Sequence, residues 1–300
     1  MTITTNIHPT RSPVREAVRR GRGFSLIEIM VTVTLLAVII LGLVTMFNQT
    51  QRAFTTSLNQ VDVLEGGRTA CDMIARELEQ NIPSYYSLVY NFDVIPPVNT
   101  PVLSHNYVWP LVNPPDVRTN VMERLYFLTR YNQQWNAVGF ALDLSSVTNG
   151  VGTLYRYNAT NVAASNLFSQ LNNFVLAASI SPLSTNTNFN RIIDGVVNFR
   201  IRTFGTNGGL LFNTTNAAST FKVFTNSISG NESLYQFQNN AVPAYVEVEL
   251  GILETRTLER YRSYSNSPAL ALNYLTNHAA QVHIFRQRVP IRAVDAAAYP

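Results

Sequence analysis

The chain has 300 residues, 46% of them hydrophobic and only 13% charged, with a formal net charge of +4. That length allows one sizeable domain or two small ones, and a lone cysteine, Cys71, excludes an internal disulfide framework and a cysteine metal cluster. The pI of 9.3 invites a nucleic-acid reading, but Arg11, Arg15, Arg19, Arg20 and Arg22, against Glu16 alone, place the whole excess in residues 1–23. The chain beyond residue 23 is near neutral, with Lys222 its single lysine, so no phosphate-binding surface and no nucleic-acid partner is predicted.

Residues 1–23 lack any periodic pattern and read as a cytoplasmic leader. From Phe24 to Phe47 the only charge is Glu28; Ser25, Thr32, Thr34, Thr45 and Gly42 interrupt a run of large apolar residues. As a helix at about 1.5 Å per residue this run is roughly 36 Å long, enough to cross a hydrocarbon core of roughly 30 Å. The arginines before it hold the N-terminus in the cytoplasm and send the C-terminal part of the chain across the membrane. A secretory signal carries its small-residue cleavage site after the apolar run. Here Gly23 precedes the run, so a cut behind it keeps the helix. A carboxylate inside such a helix is costly and needs a partner. After that cut Glu28 stands one helical turn from the new amine of Phe24.

The stretch Gly23-Phe24-Ser25-Leu26-Ile27-Glu28-Ile29-Met30-Val31 resembles the class III signal of type IV pilins and type II secretion pseudopilins. The resemblance covers about the first 50 residues. It implies a prepilin peptidase that cuts between Gly23 and Phe24 and methylates the Phe24 amine. It also implies that Glu28 neutralises a neighbouring subunit's amine during assembly.

From Asn48 to Ile82 the apolar positions Phe54, Leu58, Val61, Leu64, Cys71, Ile74, Leu78 and Ile82 step by threes and fours, which predicts one amphipathic helical stripe. Gly66-Gly67 is expected to bend or locally unwind it, Pro83 to close it, and Cys71 to be a small buried residue on its face. Residues 84–121, with Pro96-Pro97, Pro101, Pro110 and Pro114-Pro115, read as a long connection that excludes a central strand, with Trp109 and its tyrosines either pinning it to the domain or forming an exposed contact surface. Strands come next: Glu123 to Tyr131, a hairpin at Asn132-Gln133-Gln134, Trp135 to Leu144, Thr153 to Tyr157, and Ile192 to Phe204 with a turn at Thr206-Asn207-Gly208-Gly209. Residues 210–240 offer only short apolar pieces. Tyr245 to Glu254 is a strand with Glu247 and Glu249 turned to solvent, able to pair with Arg200 and Arg202 for about 0.2–1 kcal/mol each. Pro268 to Ala280 reads as a helix capped by Ser267, Gln281 to Val289 as a last strand, and Ala296-Ala297-Ala298 as the start of a tail.

The predicted fold is therefore α+β: a long N-terminal helix, transmembrane over 24–47 and amphipathic over 48–82, packed on an antiparallel sheet within a pilin-like domain of residues 83–300. This layout most resembles the larger minor pseudopilins of the J type. The likeness is carried by Leu154-Tyr155-Arg156-Tyr157, by Ile192-Ile193-Asp194-Gly195-Val196-Val197-Asn198-Phe199, and by Val242-Pro243-Ala244-Tyr245-Val246-Glu247-Val248-Glu249-Leu250.

Catalytic patterns are missing: no Gly-x-Ser-x-Gly elbow and no His partner near Cys71. His278 and His283 are five apart, off-face on a helix and opposite-face on a strand, so no zinc site is expected. Gly150-Val151-Gly152 and Gly205 to Gly209 are turn glycines, and Glu247 with Glu249 reads as solvated sheet surface. The expectation is a non-enzymatic subunit without cofactor or metal. Its partners would be other pseudopilins or pilins through helix 24–82, the prepilin peptidase and an inner-membrane assembly platform. It would sit as a single-pass inner-membrane protein with its head in the periplasm, before joining a periplasmic filament. A minor type IV pilin in pilus assembly, adhesion or DNA uptake is the alternative, and a membrane-tethered binding domain or hydrolase outside any filament is the third reading.

Overall fold

The computed structural model describes residues 23–96, 107–108, 117–118, 121–144, 150–212, 221–225, 233–264 and 266–299. It divides into two compact units, Met1–Thr55 and Thr56–Pro300. Helix α1, Leu26–Leu78, begins in the first and ends in the second. In the first unit its large apolar side chains, from Leu26 to Phe54, are exposed.

The second unit is built on a nine-stranded antiparallel sheet. Its strands are β1 (Tyr90–Ile95), β4 (Arg124–Tyr131), β5 (Gln134–Asp143), β6 (Gly152–Val162), β7 (Phe189–Phe204), β8 (Phe221–Thr225), β9 (Ser233–Gln238), β10 (Tyr245–Leu253) and β11 (Val282–Pro290). They lie in the order β11-β10-β7-β6-β5-β4-β1-β9-β8, and β2 (Tyr107–Val108) pairs separately with β3 (Val117–Arg118). The hairpin between β4 and β5 turns on Asn132 and Gln133, both at positive φ (45° and 67°), a two-residue loop whose twist matches its strands.

Successive strand residues face opposite sides, and β4 shows what lies on each. Leu125 and Phe127 join the core beneath α1, where Val63, Ala70, Cys71, Ile74, Ala75 and Leu78 are buried. Tyr126 and Leu128 join a second core on the other face, closed by helix α2 (Leu167–Ala177) through Leu167, Leu171 and Phe174. A third cluster on that outer face gathers Val197 and Leu253 under α3 (Thr255–Ser263) and α4 (Pro268–Asn277). The sheet is thus sandwiched between helices, in agreement with the α+β expectation.

Several expectations are corrected. The helix ends at Leu78, and the Ile82 amide donates to Leu128 O (3.2 Å) beside the bridge Asn81↔Thr129, because the chain extends the sheet next to β4. The buried face of α1 is not one stripe: Leu58, Val61 and Leu64 are exposed, while Val63 and Gly67 go inside. Gly66-Gly67 makes no break. A Cβ on Gly67 would stand 2.1 Å from Cε2 of Phe285, so this glycine lets β11 approach the helix.

The proline-rich stretch does contain a central strand: β1 lies between β4 and β9, its residues ending just before Pro96. Trp109 and residues 97–106 of that connection lie outside the described residues. Strands β8 and β9 and helix α3 go unread in the sequence, and Ser267 makes no side-chain cap on α4. The expected tail is docked: Ala298 is buried, and Tyr299 packs on Phe221 and donates to Val242 O.

Gly67→Ala should therefore lower the melting temperature of the chain by several °C. Overpacking costs about 1–3 kcal/mol, which outweighs the roughly 1 kcal/mol that alanine adds to helix propensity. Gly66→Ala meets only the flexible end of Ile193, at 3.2 Å, keeps that propensity gain and should raise the melting temperature slightly.

Candidate functional site

The site read from the sequence lies at the start of α1. Gly23 is exposed, and a Cβ there would meet nothing within 4 Å; Phe24 is 75% exposed. Ser25 closes the first turn. The Glu28 amide donates to Ser25 O (3.0 Å) and Oγ (3.3 Å), and the Ile29 amide to Ser25 O (3.2 Å). A serine accepting from the amide three residues on is the ordinary way to satisfy a helix N-terminus. It fixes Glu28 in the first turn, where a carboxylate also faces the positive end of the helix dipole.

Further along, the hydroxyls bond to their own helix. Thr32 Oγ1 donates to Ile29 O (2.9 Å), Thr34 Oγ1 to Met30 O and Val31 O (3.0 and 2.9 Å), and Thr45 Oγ1 to Gly42 O (2.8 Å). Such back-bonding removes the cost of a polar group in hydrocarbon. Glu28 is different: among the described residues no side chain bonds its carboxylate and no cation pairs with it. The helix is long and apolar enough to cross a membrane, and its most apolar window has no buried residue.

Residues 18–44 match the family described as the prokaryotic N-terminal methylation motif. The chain carries that motif. With an apolar helix behind it and an α+β second unit, it is a pilin- or pseudopilin-like protein. Processing by a prepilin peptidase is what such a motif implies. No curated protein and no solved structure matches the chain.

The polar residues of the second unit are arranged differently from the expectation. Glu249 is 3% exposed rather than solvated. Arg202 does pair with Glu247 (2.8 Å), and Glu249 takes Arg286 of β11 (2.5 Å) and Asn198 Nδ2 (3.0 Å). Asn198 Oδ1 accepts the Val121 amide (3.0 Å), and Glu123 accepts the Ile201 amide (2.6 Å). These bonds stitch residues 121–123 to β7, β10 and β11, which is structural work. Hydrogen bonding to Glu249 pushes the Arg286 guanidinium further up. Among the described residues no three metal-binding side chains cluster; His278 Nδ1 lies 2.8 Å from Tyr274 O and His283 Nε2 lies 3.3 Å from Glu254. Cys71 is buried as expected, and burial, with Asp72 adding, pushes its thiol up to about 12.

One buried acid went unread. Asp93, on central strand β1, is fully buried on the α2 face opposite Tyr126 of β4 and Gln236 of β9. Gln236 Nε2 donates to its Oδ2 (3.2 Å), while among the described residues Oδ1 and the Tyr126 hydroxyl have no partner. Burial pushes the Asp93 carboxyl up to about 8 against the opposing bond from Gln236. The only sequence signal was an acid inside the apolar hexapeptide Tyr90–Ile95.

The folded protein thus keeps a proton that the unfolded chain releases near pH 4. The stability this contributes is complete below about pH 4 and is lost as pH rises to about 8. Asp93→Asn, which cannot titrate, should unfold at a temperature that gains several °C on the parent between pH 4 and pH 8. Parallel curves would remove Asp93 as the titrating group.

Proposed function

We propose that this chain is a minor pseudopilin, a tip-type structural subunit of a type II secretion pseudopilus that assists protein export across the outer membrane. The observation that carries the reading is Glu28: a lone carboxylate, without partner among the described residues, in a helix whose threonines satisfy themselves. An unpaired charge in a low-dielectric bundle costs several kcal/mol. The amine of a neighbouring subunit's Phe24, freed by cleavage after Gly23, offsets that cost only when helices assemble. The exposed side chains Leu58, Val61 and Leu64 give the same helix an apolar stripe for its neighbours within the second unit.

In this reading the chain is held in the inner membrane as a single span, N-terminus cytoplasmic and head periplasmic, until the assembly platform draws it into the filament. The J-type assignment rests on three short passages. They occupy the adjacent strands β6, β7 and β10, with Leu154 opposite Ile193 and Phe199 opposite Leu250. A minor type IV pilin would carry the same N-terminal motif; neighbouring genes for a secretin would favour the secretion role, and genes for a retraction motor the pilus role.

Mass spectrometry of the mature protein should find N-methylphenylalanine at Phe24. An intact leader, or a cut beyond residue 47, would refute the reading in favour of a tethered domain outside any filament. Glu28→Ala should still insert and be cleaved, yet fall at least tenfold in filament incorporation measured by crosslinking; unchanged incorporation removes the role given to Glu28.

A further inference from the structure

Between the end of α1 and strand β1 the chain makes a tight loop, residues 84–89, which displays three large side chains to solvent. Tyr85 is 65%, Tyr86 48% and Leu88 74% exposed. Two of them stand on left-handed backbone, Tyr85 at φ 58° and Leu88 at φ 67°. Bulky residues adopt that region at a cost of order 1 kcal/mol each, where glycine or asparagine would be at ease.

The loop is nevertheless held firmly. Buried Asn91 accepts the Ser84 amide (2.9 Å) and donates through Nδ2 to Asn239 O (2.7 Å) and Ala241 O (3.0 Å). The Tyr85 amide donates to Asn239 O (2.9 Å), and the Val89 amide to Tyr86 O (3.3 Å). Rigid aromatic and aliphatic anchors on a preorganised backbone are what binding hot spots are made of.

The surroundings select the partner. No formal charge occurs from Gln80 to Phe92, nor from Gln236 to Val246, the two segments that build this surface. The acids at its edge are paired: Asp295 is held by Asn240 (2.9 Å), and Glu79, next to Gln80 in the chain, by Arg292. The surface therefore fits an uncharged, apolar pocket. Neither of two open clefts of this unit offers one. A cleft of about 480 Å³ is rimmed by Asp62 and Glu65, and one of about 430 Å³ is lined by Arg288.

We infer that the loop carrying Tyr85, Tyr86 and Leu88 docks into a neutral apolar pocket on the head of a different pilin-like subunit. The inference rests on the assembly reading above.

The test uses the full-length chain, co-expressed with its neighbouring pilin-like genes. A photo-crosslinking amino acid, p-benzoylphenylalanine, is placed at Tyr86 and, separately, at Leu58. The Tyr86 probe should yield one adduct, mapping to an uncharged apolar segment of another methylation-motif protein. Leu88→Gly, combined with that probe, should cut the adduct at least fivefold while raising the melting temperature by a few °C, since glycine removes the backbone strain. Tyr85→Asn should do the same. An adduct with lipid or with a second copy overturns the inference, as does no adduct, or one that Leu88→Gly leaves unchanged. If Leu58 crosslinks and Tyr86 does not, the docking inference alone fails. If both probes are silent and Phe24 is unmethylated, the assembly reading has failed with it.

Discussion

The second unit depends on how closely one helix can approach one sheet. Ile74 and Leu78 of α1 are completely buried, and Gly67 lies against the ring of Phe285, where any side chain would collide. Because interiors pack at crystal-like density, that contact sets the depth at which Val63, Ala70 and Cys71 enter the core. A glycine in mid-helix loses propensity by about 1 kcal/mol relative to alanine. Here the loss is offset by contact between helix and strand.

Polar groups inside the sheet are handled by pairing. Glu249, Glu123 and Asn198 are buried and bonded, binding residues 121–123 to strands far along the chain. Removing one partner of a buried pair costs about 3–5 kcal/mol because the other is left charged in a poor solvent. Asp93 takes the second available route and stays protonated. In both cases the physical demand is the same: a buried charge is matched or neutralised.

The apolar half of α1 meets that demand differently. Its hydroxyls close on their own backbone, so that among the described residues only Glu28 in this half retains an unmet need for a cation. The proposed assembly role comes from where that need can be met. The strained, well-anchored loop around Tyr85 and Leu88 is a separate feature, in which stability is given up at the surface and three large side chains are displayed.

The N-terminal motif, the apolar helix and the strands β4, β5, β7, β10 and β11 were legible from the sequence, because hydrophobic runs and period-two alternation are local signals. Tertiary structure decided what local signals cannot encode. The sequence marked Gly66-Gly67 as a break, but only the presence of Phe285 makes Gly67 a contact. Prolines after residue 95 suggested a loop, yet β1 ends just before them and takes a central place between β4 and β9. Glu249 alternated as if solvated, but Arg286, 37 residues further along the chain, covers it. Periodicity states which residues share a face; which face meets solvent depends on partners that only folding brings near.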